Sequence, residues 1–451
     1  HSACPTRPNW ATSRRRMATT AFGKPSHLGG IPTMVRTSGQ SPRAFAAFLL
    51  VLQSLSLVSC ASPLVLATDW DPRVIPAVKF VEKTYGRPFR TPVQVRFLDD
   101  AAFDRLTGIS GGSYTRSHPI EAMLGIAEVD EETAFGESGS GTILAGLYQH
   151  TGKSLLVRGT KITEENMPTV VHELTHAMQD QYFSLTSLDG IGEDREIATL
   201  AVIEGDAVWV ENRYRISRMQ ERADSESDTG AANEEAGEDT AGDATEPPEL
   251  SEEERQFLAA TGTAAFDFWA SLMPYSTGWL YMERVHAAGG VAARDETMKA
   301  ALNRRISTLD VMMLRVQKFS EPTPAPATSE EEPRQYIGAF RWFALLLGLN
   351  EDPRVVLDQV VTETSDASSP CATQIFRLGN SEASERLATA LKPWMERNAV
   401  SPTQDEDLSL NWCLNTVVED PSFTIEQLLA ALDKDQYEAA DLAYESLGYG
   451  G

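Results

Sequence analysis

The chain has 451 residues, with 39 basic and 65 acidic side chains and a formal net charge of −26. That balance excludes a nucleic-acid partner, because holding phosphates needs a positive surface, and it argues against docking on anionic lipid by charge. The length suits two domains or one large elaborated one.

Residues 1–33 carry basic side chains and no acidic ones, and read as a non-native or disordered leader before a start at Met17 or Met34. Arg36 and Arg43 precede the apolar run Ala44–Leu52, then Leu57-Val58-Ser59-Cys60. A short apolar stretch with basic flanks and small residues at its end predicts a secretory signal over 34–59. Gln53, Ser54 and Ser56 break it too often for a membrane span. Leu57–Cys60 resembles a bacterial lipobox, which makes Cys60 the lipidated first residue of the mature chain; ordinary cleavage near Ala61 or Ala67 is the alternative. Acyl chains on Cys60 would be the membrane contact, and residues 60–70 a tether.

The first folded part, 71–320, opens with a helix from Pro72 to Tyr85 stopped by Gly86. Val93, Val95 and Phe97 then alternate as a strand. Gly146–Arg158 reads as two short strands about a Thr151-Gly152 turn. Val170, Val171, Leu174 and Ala177 form the apolar face of a helix that starts at Asn166 or Thr163, with Pro168 just inside.

That helix carries His172-Glu173-Leu174-Thr175-His176. Residues four apart share a helix face, so two imidazoles can bind one ion while Glu173 lies beside it, aimed at a water. A catalytic zinc takes three protein ligands and keeps a fourth position open. Glu204 is the candidate third ligand, in the run Ala201–Ala207 of a helix beginning near Glu193. A carboxylate among Ala, Val and Ile is costly to bury unpaired; the alternative is a surface glutamate. Asp206 is a candidate partner for a ligating histidine, and Asp180 either continues the His172/His176 row or caps the helix. Tyr275, in a predicted turn Pro274–Gly278, is a candidate oxyanion donor, or an aromatic packed under that turn. His286 is expected to face solvent.

Glu221–Glu254 is dominated by acidic residues, with Arg222 its one basic side chain, and is expected to be a disordered insertion. Pro322–Pro333 marks an extended linker over 321–335. Beyond it, 336–451 is expected to be a further helical, α+β region. It contains a helix Tyr336–Leu349 whose aromatics are core, a strand through Leu408, Leu410, Trp412 and Leu414, and a capping box at Thr424–Gln427 opening the last helix. Cys371 and Cys413 are the only cysteines after Cys60, and in an oxidising compartment are expected to pair. Two free buried thiols are the alternative.

The segment His172–Gln181 (HELTHAMQDQ), followed by Glu204-Gly205-Asp206-Ala207, resembles the gluzincin type of zinc peptidase. It is most similar to secreted bacterial zincins with an HELTHALQDQ then EGDA pattern. The resemblance extends more weakly to Gly146-Leu147-Tyr148 and Pro274–Gly278, and spans about residues 71–320. It implies zinc ligands at His172, His176 and Glu204 and a general base at Glu173. The fold it implies is an α+β zincin, with an active-site helix and a small sheet whose edge strand receives a polypeptide substrate. The expected protein is therefore an extracytoplasmic, membrane-anchored bacterial lipoprotein with zinc metallopeptidase activity. Two alternatives are a zinc-dependent amidase and a non-catalytic envelope lipoprotein with structural zinc.

Overall fold

Proline and glycine set the limits of the first helix. In the computed structural model, α1 (Ile75–Tyr85) has a proline in its first turn and stops at Gly86, whose φ of 66° places it in the left-handed region glycine tolerates. Ala77, Val78, Val81 and Tyr85 recur at helical spacing and are buried against the core. The structure describes residues 69–107, 124, 146–164, 166–185, 193–228, 265–316, 337–368, 371–413 and 425–447, all within one unit, 43–451. The expected leader, signal, Cys60 lipidation site and linker lie outside the described residues, as does Thr424.

A three-stranded sheet follows. β1 (Gln94–Leu98) leads into α2 (Asp100–Thr107). β2 (Gly146–Gln149) and β3 (Ser154–Arg158) form the expected antiparallel hairpin, and β1 adds parallel to β3. The order β1-β3-β2 leaves β2 at an edge. Against it lies α3 (Met167–Phe183), which carries the histidines and begins with Asn166 as N-cap and Pro168 in its first turn.

Two long helices complete the site's frame: α4 (Glu193–Asp228) and α5 (Ala265–Leu302). They make the most extensive helix–helix contact in the fold. A Cβ built on Gly205 would lie 2.3 Å from the Gly278 carbonyl, and one on Gly278 would lie 2.4 Å from the Ala201 carbonyl oxygen. Backbone therefore touches backbone next to Glu204. Two expectations change here. Pro274–Gly278 is no turn but a stretch inside the first part of α5, which accommodates proline's missing N–H; non-helical backbone at Gly289-Gly290 then divides α5 into two helical segments. The acidic segment expected to be disordered from residue 221 continues α4 to Asp228.

The rest of the chain joins the same apolar core. α6 (Thr308–Met312) starts with a capping box of Ser307 and Asp310. α7 (Gly338–Gly348) brings Phe340 to stack on Trp269 of α5, with ring centres 4.9 Å apart. After α8 (Pro353–Val356) come β4 (Thr362–Ser368), β5 (Cys371–Arg377), α9 (Ser381–Arg397), β6 (Ser401–Gln404) and β7 (Leu408–Cys413). The four strands make an antiparallel sheet in the order β4-β5-β7-β6. Trp342, Trp394 and Trp412 meet edge to face beneath it. Cys371 and Cys413, directly opposed on β5 and β7, form the expected disulfide. α10 (Ile425–Ser446) folds back on α5. The fold is thus mixed α+β, rich in helix with two small sheets, and its apolar core runs unbroken across both sides of the expected linker. No helix among the described residues is long and apolar enough to cross a membrane.

Candidate metal centre

His172 and His176 are one turn apart on α3 and project to the same side, where α4 presents Glu204. The Nε2 atoms of the two histidines are 3.1 Å apart, and Glu204 Oε2 lies 3.3 Å from His172 Nε2 and 3.2 Å from His176 Nε2. All three side chains are buried, and among the described residues they form the one cluster able to hold a metal ion. Two imidazole nitrogens and a carboxylate oxygen suit a divalent transition metal.

The histidines are oriented from behind. His172 Nδ1 lies 3.1 Å from Glu211 Oε2, and Arg215 holds the other oxygen of Glu211. His176 Nδ1 lies 2.9 Å from Gln179 Oε1. With both Nδ1 atoms directed at acceptors, both Nε2 atoms face the shared point and, once deprotonated, would offer an ion their lone pairs. The sequence reading missed Glu211 and Gln179. Glu211 lies two helical turns beyond Glu204, and Gln179 one turn beyond His176, so face-sharing spacing was the available signal.

Electrostatics favour positive charge at that point. Burial pushes His172 down, but hydrogen bonds to Glu204 and Glu211 outweigh it and hold the imidazole at about 10. Burial likewise opposes ionisation of Glu204, yet His176 and His172 hold its carboxyl well below the usual range. A bound cation would satisfy the same three carboxylates, Glu173 among them, that raise these histidines.

Glu173 is buried on α3 beside the pair. Its Oε2 accepts the Tyr148 backbone N–H of edge strand β2 at 2.6 Å, while its Oε1 has no hydrogen-bond partner among the described residues. Burial pushes its pKa up, with His176 and His172 pulling the other way. Gly146 passes close beside it: a Cβ there would make ordinary contact, 3.4 Å from Glu173 Cγ.

Tyr275 stacks near the His172 ring, centroids 6.2 Å apart, from its place inside α5. Burial, then the Glu204 and Glu173 carboxylates, push its hydroxyl far above the ordinary phenol value, so it stays protonated. Asp206 differs from expectation in whom it touches. It accepts from Gln179 Nε2 at 3.0 Å and from the Tyr85 hydroxyl, and so stands behind His176 by one intervening side chain. Asp180 reaches neither histidine: it accepts from the Tyr148 hydroxyl at 2.7 Å and from Lys153, tying the hairpin to α3. His286 does not face solvent. It stacks on Trp209 at 3.5 Å, with its Nε2 3.8 Å from Asp206 Oδ1. A histidine flat against a tryptophan keeps a polar edge for Asp206, which a solvent-facing reading did not anticipate.

No family model, no curated protein and no solved structure matches the chain.

Proposed function

We propose that this protein is a zinc metallopeptidase of the gluzincin type, exported and held at the bacterial membrane by lipid on Cys60, that hydrolyses peptide bonds in polypeptide substrates. The observation that carries the reading is the meeting of three donor atoms beside a buried carboxylate with one oxygen to spare. His172, His176 and Glu204 would hold the ion. Zinc in that position supplies Lewis acidity, to a carbonyl and to water alike. Structural zinc sites close their shell with four protein ligands, whereas the described residues bring three.

The chain's own groups then have distinct tasks. Glu173 is fixed through Oε2 by the Tyr148 N–H, which leaves Oε1 to take a proton from water and pass it to the departing amine. Burial raises its pKa above the usual carboxylate value, which strengthens it as a proton acceptor. The protonated Tyr275 hydroxyl is a donor for the developing oxyanion. Edge strand β2 is where an extended substrate would pair, through backbone groups other than the Tyr148 N–H that Glu173 takes. The excess of acidic residues suits either substrates rich in basic side chains or a saline setting.

The test is metal analysis of the purified chain with hydrolysis of a denatured protein, repeated for Glu173→Gln. One zinc per chain in both, with activity lost only in the variant, is the expected result. Undiminished hydrolysis by Glu173→Gln removes Glu173 from the chemistry, and a chain that binds no zinc removes the metallopeptidase.

A further inference from the structure

Behind His176 lies a chain of polar groups unlike the one behind His172. Gln179 Oε1 meets His176 Nδ1 at 2.9 Å, and Gln179 Nε2 reaches the Ile203 carbonyl and Asp206 Oδ2, each at 3.0 Å. Both partners of Nε2 are acceptors. The amide can therefore sit only one way round, with Nε2 donating and Oε1 left to accept. Asp206 is itself held from another helix, Tyr85 of α1 donating to it, while His286 of α5 lies 3.8 Å from its other oxygen, beyond hydrogen-bond distance. The Arg294 guanidinium lies 3.7 Å over the Tyr85 ring. Gln179, Asp206 and Tyr85 are buried.

We infer that Gln179 is a positioning residue that holds His176 in the Nδ1–H tautomer, with Asp206 locking the amide, so that Nε2 is delivered to the metal as a lone pair. The inference rests on the metal centre proposed above. A carboxylate at 179 would do the same for the histidine, as Glu211 does for His172. It would also stand at hydrogen-bond distance from Asp206 and add a further negative charge to a pocket that already contains Glu173, Glu204 and Glu211. The amide conveys the pull of Asp206 to His176 as a dipole and brings no charge of its own. Through Asp206, the set of His176 is bound to the docking of α1 on α4.

The test is competitive titration of zinc sulfate into the full metal-free chain against a chromophoric chelator, for the wild type, Gln179→Met and the paired exchange Gln179→Glu with Asp206→Asn. The paired exchange reverses donor and acceptor between positions 179 and 206 and keeps an acceptor for His176, while the Ile203 carbonyl loses its donor. Gln179→Met is expected to weaken zinc ten- to hundredfold, the usual cost of losing such a partner, and the paired exchange to recover part of it. In the zinc-loaded chain labelled with ¹⁵N-histidine, the His176 Nδ1 proton is expected to exchange slowly with solvent in the wild type and the paired exchange, and rapidly in Gln179→Met. Equal zinc affinity in wild type and Gln179→Met overturns the positioning role and leaves the metal centre standing. A loss that the paired exchange does not recover assigns the effect to packing and overturns it too. A wild type that takes up no zinc sinks the metal centre itself.

Discussion

Gly278→Ala tests the frame of the site with a single methyl group. The added Cβ would fall 2.4 Å from the Ala201 carbonyl oxygen, 3.1 Å from its carbon and 3.2 Å from its Cα, all backbone of α4. A comfortable carbon–oxygen contact is about 3.4 Å, so the two helices must part by roughly 1 Å at this level. Alanine is the better helix former by about 1 kcal/mol, which works in the variant's favour. Overpacking a tight interior costs about 1–3 kcal/mol or more, and here no flexible side chain can yield, so the strain outweighs the propensity gain. The net expectation is a loss of about 1–2 kcal/mol in urea unfolding. Function should suffer more. Gly278 is one turn from Tyr275, and Gly205, its contact on α4, adjoins Glu204. A shift near 1 Å at a reacting centre is enough for about a hundredfold loss in kcat/KM. A variant as stable and as active as the parent would refute the close approach of α4 and α5.

Two other expectations concern Tyr275 and a buried acid far from the metal. Tyr275→Phe should lower kcat by about 10²–10³ with little change in KM if its hydroxyl serves only the oxyanion, as steady-state kinetics on a peptide substrate would read; an unchanged kcat leaves it a packing residue. Glu363 on β4 is buried, and burial followed by the nearby Asp194 carboxylate pushes its pKa from 4.5 to about 8, while Gln374 Nε2 donates to it at 2.8 Å. A carboxyl whose folded pKa is raised gives its full stability below the unfolded value and loses it as pH climbs to the folded one. Stability should therefore fall by roughly 1.4 kcal/mol per pH unit between about 4.5 and 8 from this group. Glu363→Gln keeps the acceptor for Gln374 and should remove that slope, making the variant the more stable protein at pH 8 in urea titrations. Parallel curves for variant and parent across that range would show that Glu363 is ionised in the folded state.

The candidate metal ligands were legible because each stands in a pattern that survives without three-dimensional context. His172 and His176 repeat at one helical turn, and Glu204 is a charge stranded in an apolar run. The hairpin showed in Thr151-Gly152, and the end of α1 in Gly86, since turn and cap geometry are local. The orienting residues were harder. Glu211 looks like any glutamate until α3 is laid beside α4, and Asp206 seemed close to the metal in sequence but faces away from the histidines toward Tyr85 and Gln179. Pro274-Tyr275-Ser276-Thr277-Gly278 misled for a related reason. Proline and glycine usually break helices, yet α5 keeps both because Gly278 is needed for the contact with Ala201. The role of the last helix was invisible, since nothing in its own sequence names α5 as its partner.

That last helix makes the timing of assembly a property of the fold. Asp435 on α10 accepts the Thr277 hydroxyl at 2.7 Å and also binds Arg354, so a residue two positions from Tyr275 is held by one made 158 residues later. A ribosome that has already delivered both histidines, Glu204 and Tyr275 has not yet supplied this clamp. During synthesis the candidate site therefore lacks this hold on α5 until α10 has emerged, and its final setting waits on a helix far along the chain.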